Sequence, residues 1–169
     1  MTLTINNAYN HKHYKILTQK TEAVAPLQKE DGTYTWPEDI LTFIEAMKET
    51  LKETPEGIAL AATQVWSDTT KVCPSIFVVK MEDDSIKEFI NPEVKGTGKS
   101  FKLEEGCLSL PKQVFKKRRA KNATVIFNTM KDPVNPQALK FSGFYSQVMQ
   151  HEYGHLQGIL IRKVVHARS

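Results

Sequence analysis

The sequence is poor in cysteine, in long apolar runs and, toward its end, in acidic residues. Its 169 residues include only two cysteines, Cys73 and Cys107, which is too few for a disulfide framework and is typical of a reducing compartment. No stretch approaches the roughly 20 consecutive apolar residues of a membrane-spanning helix, and residues 1–13 contain no apolar signal core. These absences exclude a disulfide-stapled scaffold and a helical membrane protein. We therefore expect a cytoplasmic protein with no membrane partner.

The scarcity of acidic residues in the last third gives the chain an uneven charge. Residues 116–169 carry ten basic and two acidic side chains, whereas the net charge of the whole chain is only +4. Such a region suits contact with a polyanion, ribosomal RNA being one candidate, or forms an ordinary solvated basic face. No aromatic residue is interleaved with the basic run 116–119, and we expect no sequence-specific DNA partner.

Length and composition predict a single domain over residues 1–169, because 40% hydrophobic residues suffice for one core. In the first half of the chain a helix is predicted over residues 37–54. Its start is indicated by the capping-box spacing of Thr35 and Glu38, and its length by apolar residues that recur every three or four positions. The N-terminal arm and segment 28–35 are expected to be flexible.

β-Rich stretches and a second helix follow. The first two stretches flank a short acidic turn and form a hairpin that Asn91 and Pro92 are expected to end, and the last two form a second antiparallel pair. Helix, strands and helix without regular βαβ alternation predict an α+β fold with a largely antiparallel sheet packed on a helix. The predicted strands cover residues 75–81, 86–90, 123–129 and 138–141, and the second helix covers residues 142–156.

The sharpest chemical signal is the pattern HExxH in the second helix, formed by His151, Glu152 and His155. Positions i and i+4 lie about one turn apart on one helix face, so both imidazoles can bind one metal ion beside the carboxylate. Phe144 and Val148 continue the same stripe, which we expect to run into the core. The alternative is an ordinary helix whose two histidines are satisfied by hydrogen bonds.

Two histidines leave a catalytic metal short of a ligand, since such sites usually have three protein ligands and one open position. The extended metalloprotease pattern HExxHxxGxxH would place a third histidine at Ile161, and the only later histidine is His166. Upstream, Cys107 follows Gly106 in the segment EEGCLSLP, which is typical of a tightly specified loop or strand end. A cysteine there is often only a small buried hydrophobe, but an HExxH helix elsewhere in the chain makes a thiolate ligand the stronger hypothesis.

A run of small residues, GIALAATQ, begins at Gly57 and ends at Gln64. Ordinary close packing of a strand on a helix explains such a run. In a functional interpretation, the small side chains let a substrate main chain lie against the run, and Gln64 donates a hydrogen bond to a developing oxyanion.

Together, the segments GIALAATQ, EEGCLSLP and QHEYGHLQG resemble the motifs of peptide deformylase, whose pattern is GxGLAAxQ, EGCLS and HExxH followed by leucine and glycine. The resemblance extends from the first helix to Gly158, with a short tail of the kind expected in a compact phage-encoded or divergent bacterial form. It implies an α+β fold with largely antiparallel sheets packed around a central HExxH helix. It also implies a metal-dependent amidohydrolase that removes the formyl group from the N-terminal formylmethionine of nascent peptides and releases formate.

The resemblance also implies a role for individual residues. Cys107, His151 and His155 would bind one divalent metal, expected to be iron(II), with zinc, nickel or cobalt as alternatives that a thiolate site also accepts. Glu152 would act as the catalytic base, while the oxyanion donors would be Gln64 and the backbone amide of Leu108. The substrate would contact Gly57, Ile58, Ala59 and Gly106.

The chain departs from the family pattern at three positions, and two rival hypotheses stay open. Ala59 replaces a glycine, Gly154 replaces an aspartate that could have paired with Arg119, and Val114 stands where many members have an arginine. One rival is a metallopeptidase of the HExxH class, which predicts a His or Glu as third ligand. The other is a catalytically silent RNA- or ribosome-binding relative that uses the basic third of the chain.

Overall fold

The computed structural model describes residues 1–162 and combines three helices with two antiparallel sheets in this part of the chain. The mixed helix and antiparallel-sheet class predicted from the sequence is confirmed. None of the described helices is long and apolar enough to cross a membrane. In chain order the elements are α1 (His11–Leu17), β1 (Leu27–Gln28), β2 (Tyr34–Thr35), α2 (Glu38–Lys52), β3 (Ala59–Ala61), a 3₁₀ turn (Ala62–Gln64), β4 (Ile76–Lys80), β5 (Ile86–Cys107), β6 (Leu110–Asn128), β7 (Gln137–Ser142) and α3 (Gly143–Leu156).

The main sheet contains β3 to β7 in sequential order, and β1 and β2 form a separate ribbon. One face of the sheet packs against α2, whose apolar stripe includes Ile44, Met47 and Leu51. The other face packs against α3 through a core that includes Phe77 and Phe127. The sheet thus lies between the two long helices, with β3 at one edge.

The start of α2 differs in detail from the prediction. The helix begins at Glu38, one residue after the predicted start; its N-cap is Pro37, and no side chain caps it. The hydroxyl of Thr35 instead donates to the carbonyl oxygen of Trp36 at 3.3 Å. The predicted capping box is therefore wrong, because Thr35 lies two residues before the N-cap position from which a side chain caps.

The hairpin of β5 and β6 is much longer than predicted. Asn91 and Pro92 do not end β5, because a register shift between Ile90 and Glu93 accommodates the proline, which has no N–H for the ladder. Both strands then continue to a two-residue turn at residues 108–109. Beyond the bulge the strands are mostly exposed and charged, so their sequence lacks the apolar alternation by which the other strands were predicted.

The N-terminal arm, defined here as residues 3–9, is held by hydrogen bonds rather than left free as expected. The Leu3 amide donates to Thr50 Oγ1 on α2 at 2.8 Å. The Ala8 amide donates to the carbonyl oxygen of Ser109 at 2.9 Å. Segment 28–35 forms most of the β1–β2 ribbon. The arm thereby joins α2 to the turn between β5 and β6.

The end of α3 lies close to the residues that follow α1. Gly158, predicted to end the helix, has a φ of +71°, and the C-cap is Gln157. A Cβ atom at Gly158 would lie 2.5 Å from the carbonyl oxygen of Thr18, so only glycine fits this approach.

Candidate metal centre

Three donor atoms converge where β5 ends against α3. Cys107 is the last residue of β5, and His151 and His155 lie one turn apart on α3. The two Nε2 atoms are 3.1 Å apart, and Cys107 Sγ is 3.3 Å from His155 Nε2. All three donor atoms lie within 4.8 Å of one another, so these residues could hold one metal ion.

The spacing and chemistry of these donors fit a divalent metal. Tetrahedral coordination with bonds of about 2.0–2.3 Å separates ligand atoms by roughly 3.3–3.8 Å, close to the observed distances. His155 is buried, and its Nδ1 has no hydrogen-bond partner among the described residues. Burial also lowers the pKa of His155 well below its usual value, which keeps the ring neutral as a metal ligand must be. One thiolate and two imidazoles suit iron(II), zinc, nickel or cobalt.

A buried ion pair between Glu105 and Arg119 fixes the orientation of His151 through its Nδ1 atom. Glu105 Oε2 lies 2.7 Å from His151 Nδ1, and Arg119 donates to both oxygens of the same carboxylate at 2.9 and 3.0 Å. Burial alone would raise the pKa of Glu105, but the hydrogen bonds from His151 and Arg119 outweigh it and lower that pKa. The carboxylate therefore stays ionised and accepts a hydrogen bond from Nδ1–H of His151, which leaves Nε2 of His151 facing the cluster.

Glu105→Gln is expected to weaken metal binding by roughly 10- to 100-fold, because the glutamine amide cannot orient His151 and bind Arg119 equally well. Competition with a chelator of known affinity measures this change. The matched control is Glu104→Gln on the neighbouring residue, whose carboxylate pairs with Lys116 at 3.6 Å with both side chains about two-thirds exposed. Equal metal affinity in the Glu105 variant and the control would contradict a positioning role for Glu105.

Glu152 is a buried carboxylate beside the donor cluster. Only 4% of the residue is exposed, and its Oε2 has no hydrogen-bond partner among residues 1–162. Burial raises the pKa of Glu152 to about 7. A carboxyl group with a pKa near neutrality can both accept and release a proton during a reaction.

Gln64 reaches the cluster from the end of β3. Its Oε1 accepts from the Ala61 amide at 2.9 Å, which fixes the side chain. Its Nε2 donates to Ser109 Oγ at 3.3 Å and lies 3.7 Å from Cys107 Sγ. The amide group therefore presents N–H donors next to the sulfur of Cys107.

These residues surround a cavity of about 750 Å³. Nine of the ten residues predicted from the sequence line it, and the tenth, His155, is buried beside Cys107 and His151. Phe144 also lines the cavity and is 55% exposed, so the expectation that it continues the core stripe is wrong, whereas Val148 is buried. The predicted residues on the lining are Gly57, Ile58, Ala59, Gln64, Gly106, Cys107, Leu108, His151 and Glu152.

The metallopeptidase hypothesis requires a third ligand after the HExxH motif, and the described residues contain none at the expected position. Ile161, where the extended pattern would place a histidine, packs in a small apolar cluster with Leu17 and Leu110. His166 lies outside the described residues. Arg119 pairs with the carboxylate of Glu105, so it has an acidic partner although position 154 is a glycine.

A metal-dependent hydrolase is the class that this centre suits, because a cluster that could hold a metal ion and a buried carboxylate with one unpartnered oxygen lie at a cavity large enough for a substrate. The family model described as polypeptide deformylase matches residues 7–168, and the chain belongs to this family. Its members remove the N-formyl group from nascent peptides, so the predicted hydrolase and its reaction are confirmed.

Individual relatives agree with this assignment. The chain is 39% identical to the peptide deformylase of Halothermothrix orenii over 127 residues, which cover 74% of this chain and 77% of the relative. The crystal structure of peptide deformylase from Thermotoga maritima is similar with a TM-score of 0.74 at 26% identity, over 95% of both chains. A probable peptide deformylase from Synechococcus phage S-SSM7 has a TM-score of 0.74 at 26% identity, over 94% of this chain and 97% of that one.

Proposed function

We propose that this chain deformylates N-formylmethionyl peptides at the cavity described above, with one divalent metal held by Cys107, His151 and His155. The observation that carries the proposal is the convergence of a strand-end thiol with two helix imidazoles, which leaves room for the water and substrate. Iron(II) is the proposed physiological metal, with zinc, nickel or cobalt as functional substitutes. When bound, the metal would polarise the formyl carbonyl and make water a better nucleophile.

Glu152 is proposed to move the proton that the reaction requires. Its carboxylate takes a proton from the attacking water as the new carbon–oxygen bond forms at the formyl carbon. It then delivers that proton to the amine nitrogen as the carbon–nitrogen bond breaks, releasing formate and a free N-terminus. The raised pKa of Glu152 supports both roles.

Gln64 and Leu108 are proposed to stabilise the negative charge that develops on the formyl oxygen. The Gln64 amide is fixed beside Cys107, and Leu108 lies in the turn that directly follows this ligand. Donors held in place before the reaction need no reorganisation in the transition state, which makes them effective.

The edge of β3 is proposed to bind the substrate main chain. Within residues 1–162, β3 pairs only with β4, so its other edge can accept an extended peptide as an added strand. Gly57 and Ile58, just before β3, and Ala59, its first residue, line the cavity, as does Gly106 near the end of β5. A Cβ atom at Gly57 would lie 3.0 Å from Leu51, so the backbone there is already in close contact with α2.

Formate release from a formyl-Met-Ala peptide under anaerobic conditions tests this function. We expect activity that a chelator removes and iron(II) restores. Cleavage of internal peptide bonds would instead favour the metallopeptidase. An inactive protein that retains bound metal would favour the silent ribosome-binding relative.

Contact with the ribosome in the cytoplasm is a further part of the proposal, and the outer part of the β5–β6 hairpin is the surface for it. We call residues 95–102 and 116–121 the basic hairpin arm. Lys102 lies opposite Arg118 in the register. Lys163 and Arg168, two further cations of the basic third, lie outside the described residues. The exposed basic side chains of the arm are Lys95, Lys99, Lys102, Lys116, Arg118 and Lys121.

The double variant Lys102→Glu, Arg118→Glu is expected to weaken ribosome binding about tenfold or more and to flatten its salt dependence, because each lost phosphate contact reduces the salt slope by about one. Co-sedimentation with ribosomes at several salt concentrations measures this. Lys29→Glu, Lys131→Glu is the control, since it makes the same charge change outside the arm. Equal binding by both double variants would contradict a role for the arm.

A further inference from the structure

We infer that Asn6 of the N-terminal arm is a positioning residue for Gln64: it fixes segment 63–66 so that the Gln64 amide stays beside Cys107. The inference rests on the proposed role of Gln64 in the reaction. It assigns a task to a residue that lies 58 positions away in the chain and does not line the cavity among the described residues.

Asn6 binds the backbone of this segment through three hydrogen bonds. Its own amide donates to the carbonyl oxygen of Gln64 at 2.6 Å. Its side-chain Nδ2 donates to the carbonyl oxygens of Thr63 at 3.0 Å and Trp66 at 2.9 Å. Asn6 is 5% exposed and Thr63 is fully buried, so water is a poor substitute for these donors. Asparagine supplies two N–H groups on one nitrogen, which lets a single side chain bind both carbonyls.

The same arm also contacts the β5–β6 turn after Cys107 and the start of β6. The Ala8 amide donates to the carbonyl oxygen of Ser109, two residues after Cys107. Tyr9 accepts a hydrogen bond from Gln113, which lines the cavity. Within four residues the arm therefore contacts the Gln64 segment, the Cys107 turn and the cavity rim.

This arrangement links Asn6 to the reacting atoms through Gln64. The Gln64 side-chain amide lies 3.3 Å from Ser109 Oγ and 3.7 Å from Cys107 Sγ. Both partners belong to the stretch 107–109, which is far from Gln64 in the sequence. The 3₁₀ turn that carries Gln64 has only three residues, and the hydrogen bond from the Ala61 amide to Gln64 Oε1 fixes the side chain only within that turn. Its placement relative to Ser109 therefore depends on the arm, and a displacement of about 1 Å at a catalytic donor can cost on the order of a hundredfold in rate.

The decisive experiment compares Asn6→Ala, Gln64→Ala and the double variant in the metal-loaded full chain, with formyl-Met-Ala peptide as substrate. We expect Asn6→Ala to lower kcat by about ten- to a hundredfold at nearly constant KM. In the Gln64→Ala background the same substitution should have little further effect, because Asn6 acts through Gln64. Multiplicative effects of the two substitutions, or an unchanged kcat in Asn6→Ala, would overturn the inference.

Thr50→Val is the matched control, because Thr50 holds the same arm through Leu3 and has no contact with segment 63–66 in the described hydrogen bonds. It should lower stability and leave kcat unchanged. Equal kcat losses in Thr50→Val and Asn6→Ala would mean that Asn6 only anchors the N-terminal arm and does not position Gln64, and would overturn the inference. Asn6→Asp, which cannot donate to the two carbonyls, should be at least as impaired as Asn6→Ala.

A spectroscopic readout separates this role from turnover. In the cobalt(II)-loaded protein, the thiolate absorption band should shift in Asn6→Ala in the same direction as in Gln64→Ala, since both alter the N–H contact with Cys107. Thr50→Val should leave the band unchanged. If Asn6→Ala proves too unstable, Asn6→Ser, which keeps one short donor, is measured with the same comparisons. Normal activity in Gln64→Ala would refute the proposed role of Gln64, whereas loss in Gln64→Ala alone would refute only the role of Asn6.

Discussion

Glu152→Gln is expected to lower kcat by about a thousandfold or more while the metal remains bound. The substitution keeps the size of the side chain but removes the group that accepts and returns the proton. Neither carboxylate oxygen of Glu152 is used in the donor cluster, whose atoms belong to Cys107, His151 and His155. Metal content measured on the purified variant should therefore equal that of the unchanged protein, and only formate release should fall.

Two comparisons make the Glu152 result specific. Glu152→Asp keeps a carboxyl group but shortens the side chain by one methylene, which moves the carboxyl group away from the reacting atoms. We therefore expect a rate between those of the glutamine variant and the unchanged protein. Glu56→Gln changes an exposed carboxylate on the lining of the same cavity and should have little effect on kcat. Full turnover in Glu152→Gln would refute the proposed proton transfer, and loss of metal from that variant would instead place Glu152 among the ligands.

Cys107→Ser is expected to abolish most metal binding and, with it, activity. A serine hydroxyl is not ionised at neutral pH and is a harder ligand than a thiolate, so the site loses one of three strong donors. We expect the loss in affinity to exceed the roughly 100-fold that removal of an outer hydrogen-bond partner can cost. Metal content after dialysis and titration with cobalt(II) would both measure it.

The second cysteine provides the control for Cys107. Cys73 is buried in the apolar cluster between α2 and the sheet, where burial raises the pKa of its thiol, and it is not one of the three residues whose ligand atoms converge. Cys73→Ala should lower stability through lost packing but leave metal content and the rate per bound metal unchanged. If Cys107→Ser retained full metal content and rate, the thiolate assignment would be wrong.

The two histidines of the proposed metal site could be placed together from the sequence because their motif is local. The spacing of His151 and His155 places two imidazoles on one helix face without reference to the rest of the fold. Cys107 was proposed as the missing third ligand and supported by the resemblance, but no spacing within the sequence could place it at the end of β5. Glu105 was missed as the partner of His151 although it lies two residues before Cys107, where alternation along a strand directs both side chains to one face.

The parts of the fold that depend on non-local contacts were not predictable. The extension of β5 beyond Asn91 rests on pairing with β6 and on a bulge, and its exposed residues show no apolar periodicity. From the sequence, the N-terminal arm was expected to be flexible. The hydrogen bonds of Asn6 and Ala8 that hold it reach partners about 60 and 100 positions away, which no local pattern reveals. Only the folded structure brings these carbonyls to the arm.

The proposed ligands lie far apart along the chain, so a bound metal should stabilise the protein against local unfolding. Cys107 and His155 are 48 positions apart, and the intervening chain contains all of β6 and β7 and nearly all of α3. An ion that joins them closes this loop non-covalently and adds its binding free energy to the native state. Loading the metal should therefore slow amide hydrogen exchange and proteolysis throughout the C-terminal half, whereas the β1–β2 ribbon, outside the closed loop, gains little protection.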